Sequence, residues 1–349
     1  MSVFQQFDTQ NDIKTGQISI VSSGMWSGGV GTNGAGTLTT FFTSSTQSGS
    51  TGEHYFDVYN GEVGTDATAS VQFSVAFGHY AGSGSLTGDN DNAASKAIYR
   101  QLRNLLLPQG QEKFKAGAYQ GGGTDSETET IFALSMNRGR LKEKMDPGNW
   151  ELRLSGSNGD TLHLIDDSGA TNDPNVRNTQ REFNIVSGSI AQGSTVIGGA
   201  STQSFGKFYP ESGMLILDAT LLVTGTGSNG IKMSGYTTAS NTNGENNRAI
   251  FNAIAGGNYF AARREEQIKS THYFCRVRHN QYNHSQNPTY TSGSAGDLTV
   301  ASFRNDPKSY ITTVGLYNSA NELLAVAKLS KPVLKSTSRE ALIKVRLDF

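Results

Sequence analysis

The chain has 349 residues, a single cysteine, 41 glycines and a formal net charge of −1. One cysteine excludes a disulfide framework, and a charge near zero gives no bulk attraction to nucleic acid or to an anionic membrane. No apolar run approaches the roughly 18 residues that span a bilayer, and residues 1–14 lack the basic flank and apolar centre of a secretory signal. We therefore expect a soluble protein, made in a cytoplasm, with no nucleic-acid or membrane partner.

The composition predicts a mainly β protein. Gly, Ser, Thr and Asn cluster between short apolar stretches, which is typical of many short strands joined by turns and loops. We expect β-sandwich-like domains with long Gly/Ser/Asn-rich loops and one clear helix at about 93–107. The domains expected from the sequence are an N-terminal β region (1–90), a central β domain with the helix (91–223), a flexible loop (224–247) and a C-terminal β domain (248–349).

The N-terminal part has the pattern of strands. Over 71–77, Val71, Phe73, Val75 and Phe77 alternate with smaller or polar residues, the period of a half-buried strand. The preceding stretch 24–36 is rich in glycine and is predicted to be a loop that is too polar for the core.

A helix is predicted after the acidic and amide-rich residues 89–92. Its apolar face consists of Ile98, Leu102, Leu105 and Leu106. Asn92 is the expected N-cap, and Pro108 ends the helix.

The middle of the chain again favours strands. We expect a strand over 130–141, a turn at 146–150, a hairpin over 151–168 with a Ser-Asn-Gly turn, and strands over 182–190 and 213–223. A second, weaker helix is expected over about 248–268, where Gly256 and Gly257 interrupt the pattern.

The C-terminal third has the most regular pattern. Residues 310–317 and 323–330 flank a short loop and predict a hairpin. The last residues place Ile343, Val345, Leu347 and Phe349 on one face of a strand. An apolar strand needs a partner for its edge, so we expect pairing within the subunit or with a neighbour.

Charge is polarised along the chain. Residues 1–95 hold one Lys/Arg against eight Asp/Glu, a net charge of −7, whereas residues 263–349 hold thirteen against seven, a net charge of +6. Such polarity favours head-to-tail contact between subunits, or it serves only to solvate exposed faces.

Two patterns resemble ligand-binding motifs, but their surroundings indicate that neither binds a ligand. Gly29, Gly31 and Gly34 satisfy GxGxxG, but the β-like TLTTFFT follows where a dinucleotide site needs a helix. His272, Cys275, His279 and His284 are of zinc-ligand type, but on a strand His272 points away from Cys275 and His279. We expect Cys275 in the core with the histidines exposed, and neither a metal nor a cofactor.

Three further clusters have a functional and a structural interpretation. Asp166 and Asp167 are expected to cap a turn rather than perform acid–base catalysis. The basic residues Arg138, Arg140, Lys142 and Lys144 are expected to be structural or interfacial rather than phosphate-binding. The aromatic stretch 53–59 with His54, Tyr55, Phe56 and Tyr59 is expected to supply core packing more than a sugar site. No catalytic, cofactor-binding or metal-binding residue is predicted.

Several blocks resemble a known family. They are SVAFGHYAGSGS (74–85) with KAIYRQLRNLLL (96–107), MDPGNWELRLS (145–155) with LIDDSG (164–169) and FNIVSGSI (183–190), and YFCRVRHNQYNHSQNPTY (273–290) with YITTVGLYNSANELLAVAKLSKPVLKS (310–336) and REALIKVRLDF (339–349). In this order they are similar to virion structural proteins of large contractile-tailed phages, especially those of marine cyanobacteria. The resemblance runs from about residue 70 to the end.

The resemblance implies a context and no catalytic residues. It implies a non-enzymatic structural component of a virion, in the tail, baseplate or neck, that contacts other virion structural proteins and copies of itself. The alternative is a peripheral receptor- or glycan-binding module of the particle. A polysaccharide-degrading spike would need an acidic cleft, which the sequence does not indicate.

Overall fold

The prediction of a mainly β protein is confirmed. The computed structural model describes residues 4–28, 36–44, 54–85, 93–119, 125–169, 175–177, 180–191, 194–197, 203–224, 230–239 and 244–348. Strands account for 48% of the described residues and helices for 14%. The chain divides into two compact units, one formed by 1–20 with 267–349 and the other by 21–266. We call them the terminal unit and the central unit.

Twenty-one strands and four α-helices are described. The strands are β1 Ile13–Gly24, β2 Thr37–Leu38, β3 Phe42–Thr43, β4 Phe56–Tyr59, β5 Val71–His79, β6 Phe114–Ala116, β7 Ser126–Thr128, β8 Thr130–Met136, β9 Lys144–Ser155, β10 Thr161–Asp166, β11 Asn175–Arg177, β12 Gln180–Ala191, β13 Ser194–Ile197, β14 Ser204–Tyr209, β15 Met214–Asp218, β16 Phe260–Val277, β17 Thr291–Ser292, β18 Asp297–Leu298, β19 Lys308–Tyr317, β20 Leu323–Ser336 and β21 Ala341–Asp348. The helices are α1 Ala94–Leu106, α2 Arg138–Leu141, α3 Ala219–Thr224 and α4 Glu245–Gly257.

The central unit is built on one antiparallel sheet. Its strand order is β16-β9-β10-β12-β14-β15-β8-β5-β4-β3, with β16 contributing its first residues. The alternation predicted over 71–77 is confirmed from Phe73 to Phe77, where Phe73, Val75 and Phe77 are buried and Ser74 and Ala76 are half-buried. It is wrong at the start of the strand, where Gln72 is buried and Val71 is only half-buried. The hairpin predicted over 151–168 is confirmed as β9 and β10, with Gly159 at φ +85° in its turn.

The sheet curves around α4. The helix contacts β9, near one end of the strand order, and also β5 and β4, near the other. The rings of Phe73 on β5 and Phe260 on β16 meet edge to face at 5.4 Å. The buried face of α4 (Ala249, Ile250, Ala253, Ile254) therefore fills the concave side of the sheet and belongs to the main core.

Helix α1 covers the other side of the sheet, and its prediction at about 93–107 is confirmed. Tyr99 and Leu106 pack on Ile131 and Ile216. The cap position is held by Ala93, whereas the expected cap, Asn92, lies outside the described residues. Leu107 is extended, as a residue before proline prefers.

Four predictions for the central unit are corrected. Residues 146–150 are not a turn but lie inside β9, where Gly148 at φ +78° accompanies a register shift against β16. The strands expected over 130–141 and 213–223 each end early, because Asn137 and Asp218 accept hydrogen bonds from backbone N–H groups of α2 and α3. The helix expected over 248–268 covers 245–257 instead.

The stretch 24–36 is corrected in part. Met25 and Trp26 are buried in the main core, and the indole Nε1 of Trp26 donates to the carbonyl of Phe260 at 2.7 Å. The GxGxxG match at Gly29–Gly34 lies outside the described residues. The loop predicted over 224–247 lies partly outside them, and α4 begins within it.

The two units differ from the four segments expected from the sequence. Strand β5, before the expected boundary at residue 90, pairs along its length with β8, which follows that boundary. Antiparallel pairing between strands that are distant in sequence therefore joins 21–90 with 91–223 and with α4. Such pairing is set by tertiary structure and has no local signal.

The terminal unit consists of a three-stranded sheet and a long hairpin. Strand β16 lies between β1 and β21, and the predicted hairpin is confirmed as β19 and β20. Its inner residues pack on Ile343 and Val345. The alternation predicted for the C-terminus is confirmed over 341–348, and β21 pairs with β16 from Ala341 to Asp348. Phe349 lies outside the described residues.

Candidate functional site

The side chains of His272, Cys275 and His279 do not form a cluster. On β16, His272 pairs in register with Arg346, while Cys275 pairs with Ile343 on the apolar side of the strand. The expected burial is wrong for two residues. His272 was expected to be exposed and is buried, while Cys275 was expected in the core and is only half-buried. His279 is exposed and lies 3.3 Å from Glu340. In the described ranges, no three His, Cys, Asp or Glu side chains are grouped so as to hold a metal ion.

The adjacent pair Asp166 and Asp167 is buried and fully engaged. Asp166 accepts the backbone N–H of Ser168 at 3.0 Å, as predicted for a turn cap, and that of Gly148 at 2.9 Å. Asp167 accepts both the backbone and the side-chain N–H of Asn184. Burial raises the pKa of both carboxyls. These contacts fix the β9 bulge and the end of β10, which is a structural role.

A buried lysine extends this polar network. The Nζ of Lys207 donates to Asn184 Oδ1 at 2.7 Å and to Asp125 at 3.0 Å, and it lies 3.7 Å from Glu182. Glu182 in turn accepts the hydroxyl of Tyr209 at 3.1 Å. Because each charged group has a partner of opposite charge or a hydrogen-bond donor, the network tolerates burial.

The basic cluster holds the central unit together. Arg140 donates to the hydroxyl of Ser70 at 3.0 Å, and Lys144 pairs with Glu265 at 2.7 Å across β9 and β16. Lys142 lies 3.9 Å from Glu266. These contacts agree with the structural role expected from the sequence. In the aromatic stretch, Phe56 is in the core as expected, while Tyr55 is exposed.

The terminal unit exposes an apolar surface. Tyr317, Leu323, Leu324 and Val326 lie at the turn end of the hairpin of β19 and β20 with large exposed fractions, 69% for Leu324 and 59% for Val326. We call this set the outer hairpin face. The ring of Phe4, which is itself 48% exposed, packs edge to face on Tyr317 at 4.9 Å and extends it.

Gly315 shapes this face. Its Cβ position lies 2.8 Å from Cε2 of Tyr317 and 3.2 Å from Cδ1 of Leu323. A side chain here would displace the ends of both side chains, so the glycine allows Tyr317 and Leu323 to pack over the position of residue 315.

The two units carry opposite charge. The terminal unit has twelve Lys/Arg against seven Asp/Glu, a net charge of +5, and the central unit has seventeen against twenty-three, a net charge of −6. The polarity seen along the sequence is therefore a polarity between folded units.

The central unit contains a cavity of about 660 Å³ where the ends of β5 and β15 meet the start of β8. This volume is within the range of small-molecule sites, about 300–1,000 Å³. Its wall is rich in hydroxyl groups, from Ser83, Ser126, Thr128, Thr130, Thr220 and Thr238.

His79 and Asp218 are the buried titratable groups of this cavity. His79 is 7% exposed, and its Nδ1 accepts the backbone N–H of Ala81 at 3.0 Å. Burial lowers the pKa of His79, so the ring is neutral at pH 7 and carries its proton on Nε2. Asp218 Oδ1 accepts the N–H groups of Thr220 and Leu221 at the start of α3, and burial raises its pKa.

Sequence reasoning missed this cavity. His79, Thr130 and Asp218 lie on three adjacent strands, and their registers bring them together: His79 is opposite Thr130, and Asp218 is opposite Ile131. No motif joins residues 79, 130 and 218. The one local signal was the apolar alternation that ends at a histidine.

Comparison with family models, with curated proteins and with solved structures gives no match to this chain. Within the described part of the chain, no helix has both the length and the apolar character needed to cross a membrane.

Proposed function

We propose that this protein is a non-enzymatic structural subunit of a tailed-phage virion, in its tail, baseplate or neck region. It contacts copies of itself and other virion structural proteins there. The observation that carries the proposal is the outer hairpin face. Contiguous exposed apolar surface on a folded protein marks a site of protein contact, and here it falls within one of the blocks that resemble phage virion proteins.

The occupant of the outer hairpin face is a second copy of this chain. The face belongs to the basic terminal unit, while the central unit is acidic. Opposite charges on two units of one chain favour a head-to-tail arrangement of copies, in which the terminal unit of one meets the central unit of the next. Apolar burial supplies the affinity, and charge supplies the orientation.

Sedimentation velocity of the purified protein tests the contact. We expect concentration-dependent association, which Leu324→Glu or Val326→Glu abolishes because each places a charge in the buried centre of the interface. Leu342→Glu is the matched control, since Leu342 is 60% exposed on β21, outside the outer hairpin face. A monomeric wild type, or equal loss of association in the control, would contradict the proposed contact.

Imaging of particles tests the context. In negatively stained virions decorated with an antibody against this protein, we expect label at the tail, baseplate or neck. Particles that contain no copy of the chain by mass spectrometry would refute the virion role, whatever the association state of the isolated protein.

A further inference from the structure

We infer that Lys207 and Asn184 form an intramolecular isopeptide bond that joins β14 to β12. The bond links Nζ of Lys207 to Cγ of Asn184, and one ammonia molecule is lost. It forms once in each chain and involves no external substrate. The inference concerns the central unit alone and is independent of the outer hairpin face.

The strand register places the two reacting side chains together. Asn184 on β12 and Lys207 on β14 are direct cross-strand partners, and such partners lie on the same face of a sheet. Nζ of Lys207 is 2.7 Å from Oδ1 of Asn184. Since a C=O bond is about 1.23 Å long, the amine lies within about 4 Å of the carbonyl carbon that it attacks. Reacting atoms gain most from positioning at about 3–3.5 Å, so a small rotation of the amide completes the approach.

Carboxylates beside the amine can remove its proton. Lys207 and Glu182 are both more than nine-tenths buried, and their charged atoms lie 3.7 Å apart. Oδ2 of the half-buried Asp125 is 3.0 Å from Nζ, which is within the range for direct proton transfer. Burial disfavours the charged forms of lysines and carboxylates. A proton that moves from Nζ to Asp125 therefore removes two charges from a poorly solvated site and leaves a neutral amine, which is the nucleophile.

The amide nitrogen of Asn184 contacts a further carboxyl group. Its Nδ2 donates to Oδ2 of Asp167 at 2.8 Å, and burial raises the pKa of that carboxyl, which suits a group that passes on a proton. As the bond from Nζ to Cγ forms, the bond from Cγ to Nδ2 breaks. The two protons that the lysine ammonium gives up leave with Nδ2 as an ammonium ion. The charges balance, and no oxidant or reductant is needed.

A second lysine–asparagine contact provides an internal control. In the terminal unit, Nζ of Lys335 donates to Oδ1 of Asn283, also at 2.7 Å. Its other hydrogen bonds go to the backbone carbonyls of His279 and Ser336, which are too weakly basic to take its proton. We expect no bond between Lys335 and Asn283, although the distance is the same.

Mass spectrometry of the denatured full-length protein tests the bond. We expect a mass below that of the sequence by one ammonia molecule. Trypsin should then release residues 182–232 as one peptide with this deficit, because a lysine whose amine is acylated is not cleaved. Cleavage at Lys335 should be normal.

Three variants assign the chemistry. Lys207→Arg keeps the positive charge and removes the nucleophile, so the deficit should disappear. Asp125→Asn keeps the shape of the side chain and should leave most chains without the bond, since a general base contributes about 10²–10⁴-fold to a rate. Lys113→Arg is the matched control and should keep the deficit, because Lys113 pairs with Glu129 at 2.8 Å, outside this network.

The wild-type protein alone can refute the bond, so the test does not depend on a variant that folds. A wild-type mass equal to that of the sequence would overturn the proposal. So would a deficit that maps to another peptide or persists in Lys207→Arg. Complete bond formation in Asp125→Asn would overturn the proton transfer assigned to Asp125.

Discussion

At the scale of single residues, burial of ionisable groups is the main feature that sets the properties of this protein. Asp218 is the clearest case, because burial raises the pKa of its carboxyl while one oxygen accepts two N–H groups of α3. The folded state therefore holds a proton at pH values where the unfolded chain has released it. Stability contributed by the protonated form is lost as the pH rises from about 3.9 through the folded pKa.

Asp218→Asn is accordingly expected to raise the melting temperature at pH 7. The amide oxygen still accepts both backbone N–H groups, as Asn is a good N-cap, while the buried charge is removed. The gain should shrink as the pH falls below the folded pKa, where the wild-type carboxyl is already neutral. Thermal melting from pH 4 to pH 8 measures both effects.

Asp66→Asn is the matched control for this prediction. Asp66 accepts the backbone N–H and the hydroxyl of Thr68 at 2.8 and 2.7 Å, but it is exposed and these bonds lower its pKa. The stability that the ionised carboxyl of Asp66 contributes is complete above its ordinary pKa and is lost as the pH falls through the lowered pKa. Stabilisation at pH 7 by both substitutions, or by neither, would show that burial of Asp218 is not the cause.

Gly257 illustrates a steric requirement at the same scale. A Cβ at this position would overlap the carbonyl oxygen of Arg153, so the end of α4 touches β9 directly. Gly257→Ala should destabilise the protein by about 1–3 kcal/mol in urea denaturation, as overpacking does. Gly256→Ala should have a much smaller effect, because its nearest neighbour is the Cβ of Ser155 at 3.3 Å and alanine favours the helix. Equal losses would contradict the close approach.

At the scale of elements, β21 is anchored by two buried side chains. Ile343 and Val345 are buried against Tyr273, Cys275 and Leu316. Each is worth about 1.5–3 kcal/mol of apolar burial. A chain that ends at Leu342 should therefore melt at a clearly lower temperature and be less soluble, since it also exposes the edge of β16.

Leu342→Ser provides the comparison for this truncation. Leu342 is 60% exposed, so replacing it should leave the melting temperature nearly unchanged. If the truncated chain melts and assembles like the full-length protein, β21 is dispensable and its pairing contributes little.

At the scale of the whole molecule, the opposite charges of the two units predict salt-dependent association. At about 0.01 M ionic strength the screening length is about 30 Å, and at 1 M it is about 3 Å. Association between the +5 and −6 units of neighbouring copies should weaken steadily as sodium chloride is raised. Light scattering across this range measures it, and association that strengthens with salt would indicate that apolar contact alone drives assembly.

The local elements follow from short-range patterns in the sequence. Alternating apolar residues predicted β5, the hairpin of β19 and β20, and the C-terminal strand, and a 3.6-residue period with Pro108 predicted α1. These signals work because one face of each element is buried and the other is exposed. Where a side chain satisfies backbone groups, as Asn137 and Asp218 do, a strand ends and a short helix begins, and apolar periodicity does not show this.

The way these elements combine depends on contacts between residues that are far apart in the chain. The curved sheet around α4, the burial of Trp26 in a glycine-rich stretch and the cavity of His79, Thr130 and Asp218 all depend on pairing between distant strands. A strand's register fixes which of its residues meet a partner far along the chain, and no local pattern encodes that partner. The sequence contains the apolar residues of the outer hairpin face but does not show that they are exposed. Their exposure follows because the other face of the hairpin is the one that packs on Ile343 and Val345.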